Sequence, residues 1–146
     1  MNYKPNFYFN AITLYRVYHK LSEIFLFRIV SRFLEFLNYL LFNSVIPSAS
    51  IIGVGTYCSH RGMAVVIHKN SKIGKNCVIG TSVVLGGGGK DKAGAPVLGD
   101  NVYIGTGAKI LGNIKIGNNV TIGANSVVTK DIPDNCTVVG VPGRIL

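Results

Sequence analysis

The chain of 146 residues is poor in several residue types on which particular protein classes depend. It has no tryptophan, six acidic residues and three cysteines, and the spacing of the cysteines at 58, 77 and 136 suggests no pairs. Such cysteines are typical of reduced thiols rather than of a disulfide framework. Charged residues between positions 28 and 35 interrupt the main apolar segment, so no uncharged run reaches the roughly 18–20 residues of a membrane span. We therefore expect neither a disulfide-stapled domain nor a membrane-spanning helix.

The start of the chain and its charge limit where the protein works and what it binds. The first ten residues, MNYKPNFYFN, lack the apolar core and the cleavage site of a signal peptide, which predicts a cytoplasmic location. A net charge of +9 predicts anionic partners. The basic residues are scattered and aromatic residues are scarce beyond the first third of the chain, so we expect no nucleic acid partner. A polyphosphate ligand or an anionic membrane face fits the charge better.

An aliphatic residue recurs at every sixth position over most of the chain, with one interruption. These anchor residues are Ile67, Ile73, Ile79, Leu85, Leu98, Ile104, Ile110, Ile116, Ile122 and Val128. A glycine follows most anchors, and a small or branched residue stands four positions after each. A period of six matches neither a helix nor a simple strand but a chain that turns a corner every six residues. The pattern predicts a mainly β protein, a parallel β-helix in which the anchors point inward and the following glycines allow sharp, often positive-φ corners.

The N-terminal residues 1–43 differ from the repeats, which we place in a β-helix domain over residues 44–146. Residues 7–43 contain no glycine or proline, and the apolar spacing predicts helices over about 8–20 and about 23–43, ended near Pro47. Two interpretations stay open. The segment can cap the β-helix and contact another subunit, or it can form an amphipathic surface that lies peripherally on a membrane.

Two breaks in the repeat are candidate functional insertions. The spacing from Ile52 to Ile67 is fifteen instead of twelve, and this break contains His60. The spacing from Leu85 to Leu98 is thirteen, and this break contains a run of four glycines at 86–89. The glycine run does not fit a phosphate-binding loop motif. Only two histidines, His60 and the corner residue His68, lie in the repeats, so we expect no metal site.

Three stretches of sequence resemble a known family. They are VVLGGGGK at 83–90, VYIGTGAKILGNIKIGNNVTIGANSVVTKDIP at 102–133 and VVGVPGRIL at 138–146. They closely resemble hexapeptide-repeat acyltransferases, and within these the serine acetyltransferase-like branch, including short members found with bacterial surface-polysaccharide genes. The resemblance covers roughly residues 44–146. It implies a left-handed β-helix, a homotrimer and acetyl-CoA bound in the cleft between neighbouring β-helices.

The resemblance also implies roles for individual residues. His60, in CSHRGMAVV, matches the histidine that acts as the catalytic general base, a role that suits a side chain titrating near neutral pH. The positions that match coenzyme-binding residues are Gly86, Gly87, Thr106, Ala124, Thr129, Lys130 and Arg144. The two glycines would line the path of the pantetheine arm, and the two basic residues would meet the phosphates.

Several positions depart from the family pattern. The aspartate that orients the family's histidine is replaced here by Val45, with Ser44 beside it, and the aspartate before the histidine is Ser59. The Arg-His pair that holds the carboxylate of serine reads Gly94-Ala95. Without those charged groups a free amino acid has no evident clamp, so we predict a hydroxyl of a sugar, glycan or glycan precursor as acetyl acceptor. The alternatives are a serine O-acetyltransferase of cysteine biosynthesis and a non-catalytic trimeric scaffold.

Overall fold

The computed structural model describes residues 9–89 and 94–146. Residue 8, where we predict the first helix to start, therefore lies outside the described residues, as does most of the segment inspected for a signal peptide. Two helices, α1 (Ala11–Ser22) and α2 (Arg28–Phe42), precede a series of short strands, and a 3-10 turn at Phe25–Phe27 joins them. The strands of the described part are β1 (Ile51–Ile52), β2 (Tyr57–Cys58), β3 (Val66–Ile67), β4 (Lys72–Ile73), β5 (Val78–Ile79), β6 (Val84–Gly86), β7 (Val97–Leu98), β8 (Tyr103–Ile104), β9 (Lys109–Leu111), β10 (Lys115–Ile116), β11 (Thr121–Ile122), β12 (Val127–Val128), β13 (Thr137–Val139) and β14 (Arg144–Ile145).

The strands stack into three sheets that form the faces of a prism. Face A holds β3, β6, β9 and β12, face B holds β1, β4, β7 and β10, and face C holds the remaining six strands. Neighbouring strands are parallel except at the end of face C, where β14 turns back antiparallel on β13. Because the chain visits faces B, C and A in turn, each coil stacks on the previous one. The predicted parallel β-helix is confirmed.

The inward-facing residues are those that the repeat predicts. All ten anchor residues are buried, and so are nine of the ten residues that stand four positions after an anchor, the exception being Gly89. Two cysteines, Cys58 and Cys77, belong to this core. Burial raises the pKa of the Cys58 thiol to about 12 and also raises the pKa of Cys77. Both thiols therefore stay protonated near neutral pH and behave as small apolar side chains.

The glycines that follow the anchors are required for a different reason from the one we predict. The positive-φ residue of a corner lies two positions later, for example at Asn76 with φ 54°, a conformation that asparagine tolerates. The glycines themselves lie where the next coil passes closely. A Cβ atom added to Gly80 would lie 2.6 Å from the backbone nitrogen of Thr106, and one added to Gly105 would lie 2.5 Å from that of Ala124. Coil-to-coil contact, rather than corner conformation, therefore requires glycine at these positions.

Helix α1 covers the first coil of the prism. The hydroxyl groups of Tyr15 and Tyr18 donate hydrogen bonds to the backbone oxygens of Ser50, at 2.6 Å, and Ile46, at 2.5 Å. Both tyrosines are almost completely buried, and this burial raises their pKa values. Because each phenol is paired with a carbonyl of the first coil, α1 satisfies polar backbone groups that the open end of a β-helix would otherwise leave exposed.

The helix boundaries differ from the predicted ones for local reasons. Helix α1 begins after Asn10, whose side chain accepts a hydrogen bond from the backbone N–H of Thr13 at 3.0 Å. Helix α2 begins at Arg28 rather than near 23, because Ile24 is extended and the 3-10 turn follows it. It ends at Asn43, which has the left-handed conformation (φ 51°) of a helix C-terminus. The turn between the two helices thus shortens the second one.

The apolar stripe of α2 faces away from the prism. Ile29 is 82% exposed and Phe33 62% exposed, whereas Ser31 and Asn38 are buried against α1. Among the described residues no helix is both long and apolar enough to cross a membrane. A peripheral membrane contact or a subunit contact through residues 1–43 stays a prediction.

Because the coils stack closely, we predict that alanine lowers the stability by different amounts at two glycines, Gly105 and Gly123, that occupy the same position in their repeats. Gly105→Ala places a Cβ atom against the backbone of the next coil, whereas a Cβ atom at Gly123 first meets the side chain of Val139 at 3.0 Å, which can shift. We expect Gly105→Ala to cost about 1–3 kcal/mol of stability and Gly123→Ala clearly less. Thermal unfolding midpoints at one protein concentration measure the difference. Equal losses at both positions would show that backbone contact is not the cause.

Candidate active site

Two edges of the prism carry the candidate site residues. The chain passes from face C to face A at residues 59–64, 80–83, 105–108 and 123–126, and we call this line the histidine edge. It passes from face A to face B at residues 68–71, 87–89 with 94–96, 112–114 and 129–131, and we call this line the glycine-loop edge. Face A separates the two edges.

His60 projects from a loop in which several consecutive residues have unusual backbone angles. His60, Arg61 and Gly62 all have positive φ, at 48°, 63° and 75°. Non-glycine residues rarely adopt this region unless the surrounding structure holds them there. Ala11 of α1 packs against Gly62, where an added Cβ atom would approach the Ala11 Cβ to 2.9 Å. The imidazole itself is exposed, which leaves it accessible to a substrate.

Ser44 fixes this loop to the first coil. Its hydroxyl is 1% exposed, donates to the backbone oxygen of Gly62 and accepts a hydrogen bond of 3.0 Å from the N–H of Val65. The N–H of Ala64 bonds the backbone oxygen of Phe42 at 3.0 Å. The sequence analysis names Ser44 only as the neighbour of the position where the family has its orienting aspartate, and sequence alone does not reveal that it holds this loop.

The position of that aspartate carries no polar group here. Val45 is 41% exposed and pairs with Val66 at the start of face A. Ala95, in the place of the family's carboxylate clamp, is buried. The described residues therefore place no charged side chain at either position, and the conformation of the His60 loop rests on backbone hydrogen bonds and on Ser44.

Two predicted coenzyme residues lie on the histidine edge with His60. Thr106 and Ala124 are exposed and lie in consecutive coils, where the N–H of Asn125 bonds the oxygen of Thr106 at 2.9 Å. The order along the edge is therefore His60, Thr106 and Ala124, with coils about 4.8 Å apart. A third predicted residue, Arg144, lies in β14 on face C, where it pairs with Val139 beyond the last of these coils.

The composition of the histidine edge suits such a ligand. Along the edge the coils carry small residues such as Thr81 and Gly107, which leave its surface open. None of its residues is acidic, whereas Arg61 and Arg144 are exposed and the ammonium group of Lys109 reaches the oxygen of Gly107 at 3.1 Å. Positive charge beside an open edge favours phosphate groups.

The other four predicted coenzyme residues lie on or beside the glycine-loop edge. Gly86 ends β6, Gly87 follows it, and Thr129 and Lys130 are exposed after β12. The structure also brings His68, described in the sequence analysis only as a corner residue, beside Gly87, where an added Cβ atom would lie 3.4 Å from the His68 Nε2 atom. Within one protomer the predicted residues thus form two groups at opposite margins of face A.

Comparison with known proteins places this geometry in a family. Residues 95–130 match the family model described as bacterial transferase hexapeptide (six repeats). The serine acetyltransferase of Synechococcus elongatus is 45% identical over 139 residues, which are 94% of this chain and 56% of that protein. The chain thus carries the bacterial transferase hexapeptide repeat and is similar over nearly its whole length to a hexapeptide-repeat acyltransferase.

Solved structures of the family share the fold. The serine acetyltransferase of Neisseria gonorrhoeae in complex with serine superposes with a TM-score of 0.85 at 36% identity, over 93% of this chain and 55% of that one. A serine acetyltransferase in complex with CoA superposes with a TM-score of 0.82 at 36% identity, over 93% of this chain and 55% of that one. The predicted left-handed β-helix is confirmed. The chain spans little more than half the length of these relatives.

The role of Ser44 predicts a contrast between two buried serines. Ser44→Ala leaves the N–H of Val65 without its partner, whereas the hydroxyl of Ser71 is buried with no hydrogen-bond partner among the described residues. We expect Ser44→Ala to lower stability by about 1–3 kcal/mol, and Ser71→Ala to leave it unchanged or raise it slightly. Chemical denaturation of both variants measures this. Loss of stability in Ser71→Ala alone would contradict the assignment.

Proposed function

We propose that the protein is an acetyl-CoA-dependent O-acetyltransferase in which His60 is the general base. The observation that carries the proposal is the alignment of His60 with Thr106 and Ala124 along one open edge that has no acidic residue. The relatives support it, because they are serine acetyltransferases, one of them solved with CoA. Membership of a fold family alone would not indicate a reaction, but here the histidine lies in the inserted loop of the fold.

The chemistry requires one base and an anion-binding surface. His60 takes the proton from the acceptor hydroxyl as its oxygen attacks the thioester carbonyl, and a carbon–oxygen bond forms. The tetrahedral intermediate then collapses, the carbon–sulfur bond breaks, and the imidazolium returns its proton to the leaving thiolate. Arg144 and Lys130 neutralise the phosphates of the coenzyme.

The two-edge arrangement supports a site between copies. We propose a homotrimer in which the histidine edge of one protomer meets the glycine-loop edge of the next. In this arrangement the coenzyme contacts Thr106 and Ala124 of one copy together with Gly86, Gly87 and Lys130 of its neighbour. Cyclic association repeats the same contact three times and leaves no edge unpaired.

The relatives and the site residues favour different acceptors. Serine, the alternative of our sequence analysis, has the better support from the relatives, because the serine acetyltransferases described above are named for it. A sugar hydroxyl keeps support from one observation, namely that Val45, Gly94 and Ala95 provide no charge to hold a free amino acid. We propose serine as the first acceptor to test and a sugar hydroxyl as the second.

The general-base role predicts the effect of His60→Asn. Asparagine tolerates the left-handed angles of residue 60, so the loop should keep its shape while the base is lost. We expect the rate of acetyl transfer to fall by about 10²–10⁴-fold, with the affinity for CoA unchanged. Steady-state kinetics and calorimetric CoA binding measure the two quantities.

The same assay identifies the acceptor. Acetyl-CoA is supplied with L-serine in one series and with sugar nucleotides and oligosaccharides in another. Transfer to serine alone supports the serine acetyltransferase assignment, and transfer to sugars alone supports the second candidate. A parent protein that binds CoA but acetylates none of them would favour the non-catalytic scaffold, and undiminished transfer in His60→Asn would refute the base assignment.

A further inference from the structure

A groove lies between α2 and the first coil, and one of its lining residues, Ser44, bonds Gly62 of the histidine edge. The groove has a volume of about 400 Å³. Helix α2 contributes Arg32, Glu35, Phe36 and Tyr39, and these share one side of the helix because Glu35 and Phe36 both lie three or four residues from Arg32 and from Tyr39. The first coil contributes Ser44, Val45 and Ser48. Ser44 thus connects the groove to the loop that carries His60.

The side chains of the groove are available to a ligand. Among the described residues Arg32 forms no hydrogen bond and no ion pair, and the Tyr39 hydroxyl has no partner. Glu35 is half-buried, and its carboxylate accepts one hydrogen bond, 3.3 Å from the N–H of Ser48, which leaves further lone pairs. The rings of Phe36 and Tyr39 are 55% and 48% exposed. The groove therefore combines a cation, a carboxylate and two aromatic rings.

We propose that this groove binds a sugar unit of the acetyl acceptor. A sugar ring has an apolar C–H face that packs on an aromatic ring, as Phe36 and Tyr39 offer. It also carries hydroxyl groups that both donate and accept, which matches the N–H donors of Arg32 and the free oxygen lone pairs of Glu35. The proposal rests on the O-acetyltransferase activity proposed above and on its second acceptor class.

The groove is large enough for a sugar ring, at about 400 Å³. A sugar placed there would set its hydroxyl groups against Arg32 and Glu35 and its C–H face against the two aromatic rings.

The test uses four variants in two matched pairs. Arg32→Gln and Phe36→Leu alter the groove. Arg28→Gln and Phe33→Leu make the same changes on exposed residues of α2 that do not line it. All four side chains are exposed, so we expect similar folding. Saturation-transfer NMR on the native oligomer, with methyl glycosides of glucose, galactose, mannose and N-acetylglucosamine as probes, measures binding without any reaction.

We expect at least one glycoside to bind the parent protein, the two groove variants to lose about 10-fold to 100-fold in affinity, and the two control variants to bind as the parent does. Absence of binding to the parent, or equal loss in groove and control variants, would overturn the proposal. So would an increase in the KM for serine in Arg32→Gln, because the groove would then hold an amino acid.

Binding and turnover separate this proposal from the proposed function. Glycoside binding that depends on the groove, in a protein that acetylates nothing, would refute the enzymatic function and leave the sugar site standing. Acetylation of serine by a protein that binds no glycoside would refute the sugar site and leave the enzymatic function standing.

Discussion

The contact between consecutive coils is the constraint on which the rest of the structure depends. Parallel strands of neighbouring coils lie about 4.8 Å apart, and the backbone of Gly105 approaches that of Ala124 so closely that a single Cβ atom does not fit. Because the coils stack so closely, residues at the same corner lie in straight lines along the prism, and they are eighteen apart in sequence where no insertion intervenes. A side chain at one corner therefore lies in line with the same corner of every other coil.

This stacking converts separate sequence positions into two continuous edges. Thr106 and Ala124 lie on the histidine edge because each occupies the same corner in its own coil. Lys130 lies on the glycine-loop edge, on the other side of face A. The loop at His60 departs from the repeat but stays fixed to it, since Ser44 bonds both Gly62 and Val65. A regular scaffold thus holds one irregular loop, and the loop carries the base.

The sequence predicts those features that the period of six determines. The buried anchors, the parallel stacking and the common edge of Thr106 and Ala124 all follow from spacing alone. Features that depend on contacts between atoms could not be predicted from the sequence. They are the reason for glycine after the anchors, the hydrogen bonds of Ser44, and the groove that Arg32 and Glu35 form with the first coil. The predicted start of α2 was also wrong, because a pattern of apolar residues does not reveal that the backbone of Ile24 is extended.

Mixed assemblies test most directly whether the site needs the edges of two copies. His60→Asn disables the histidine edge, and a variant with both Gly87→Val and Lys130→Glu disables the glycine-loop edge. When the two inactive proteins are unfolded, mixed in equal amounts and refolded together, about one quarter of the sites in a random trimer combine two intact edges. The account predicts activity near that fraction of the parent, and none when His60→Asn is mixed with Thr106→Arg, which disables the same edge. No recovery in the first mixture, although the two proteins assemble together, would contradict a site shared between neighbouring copies.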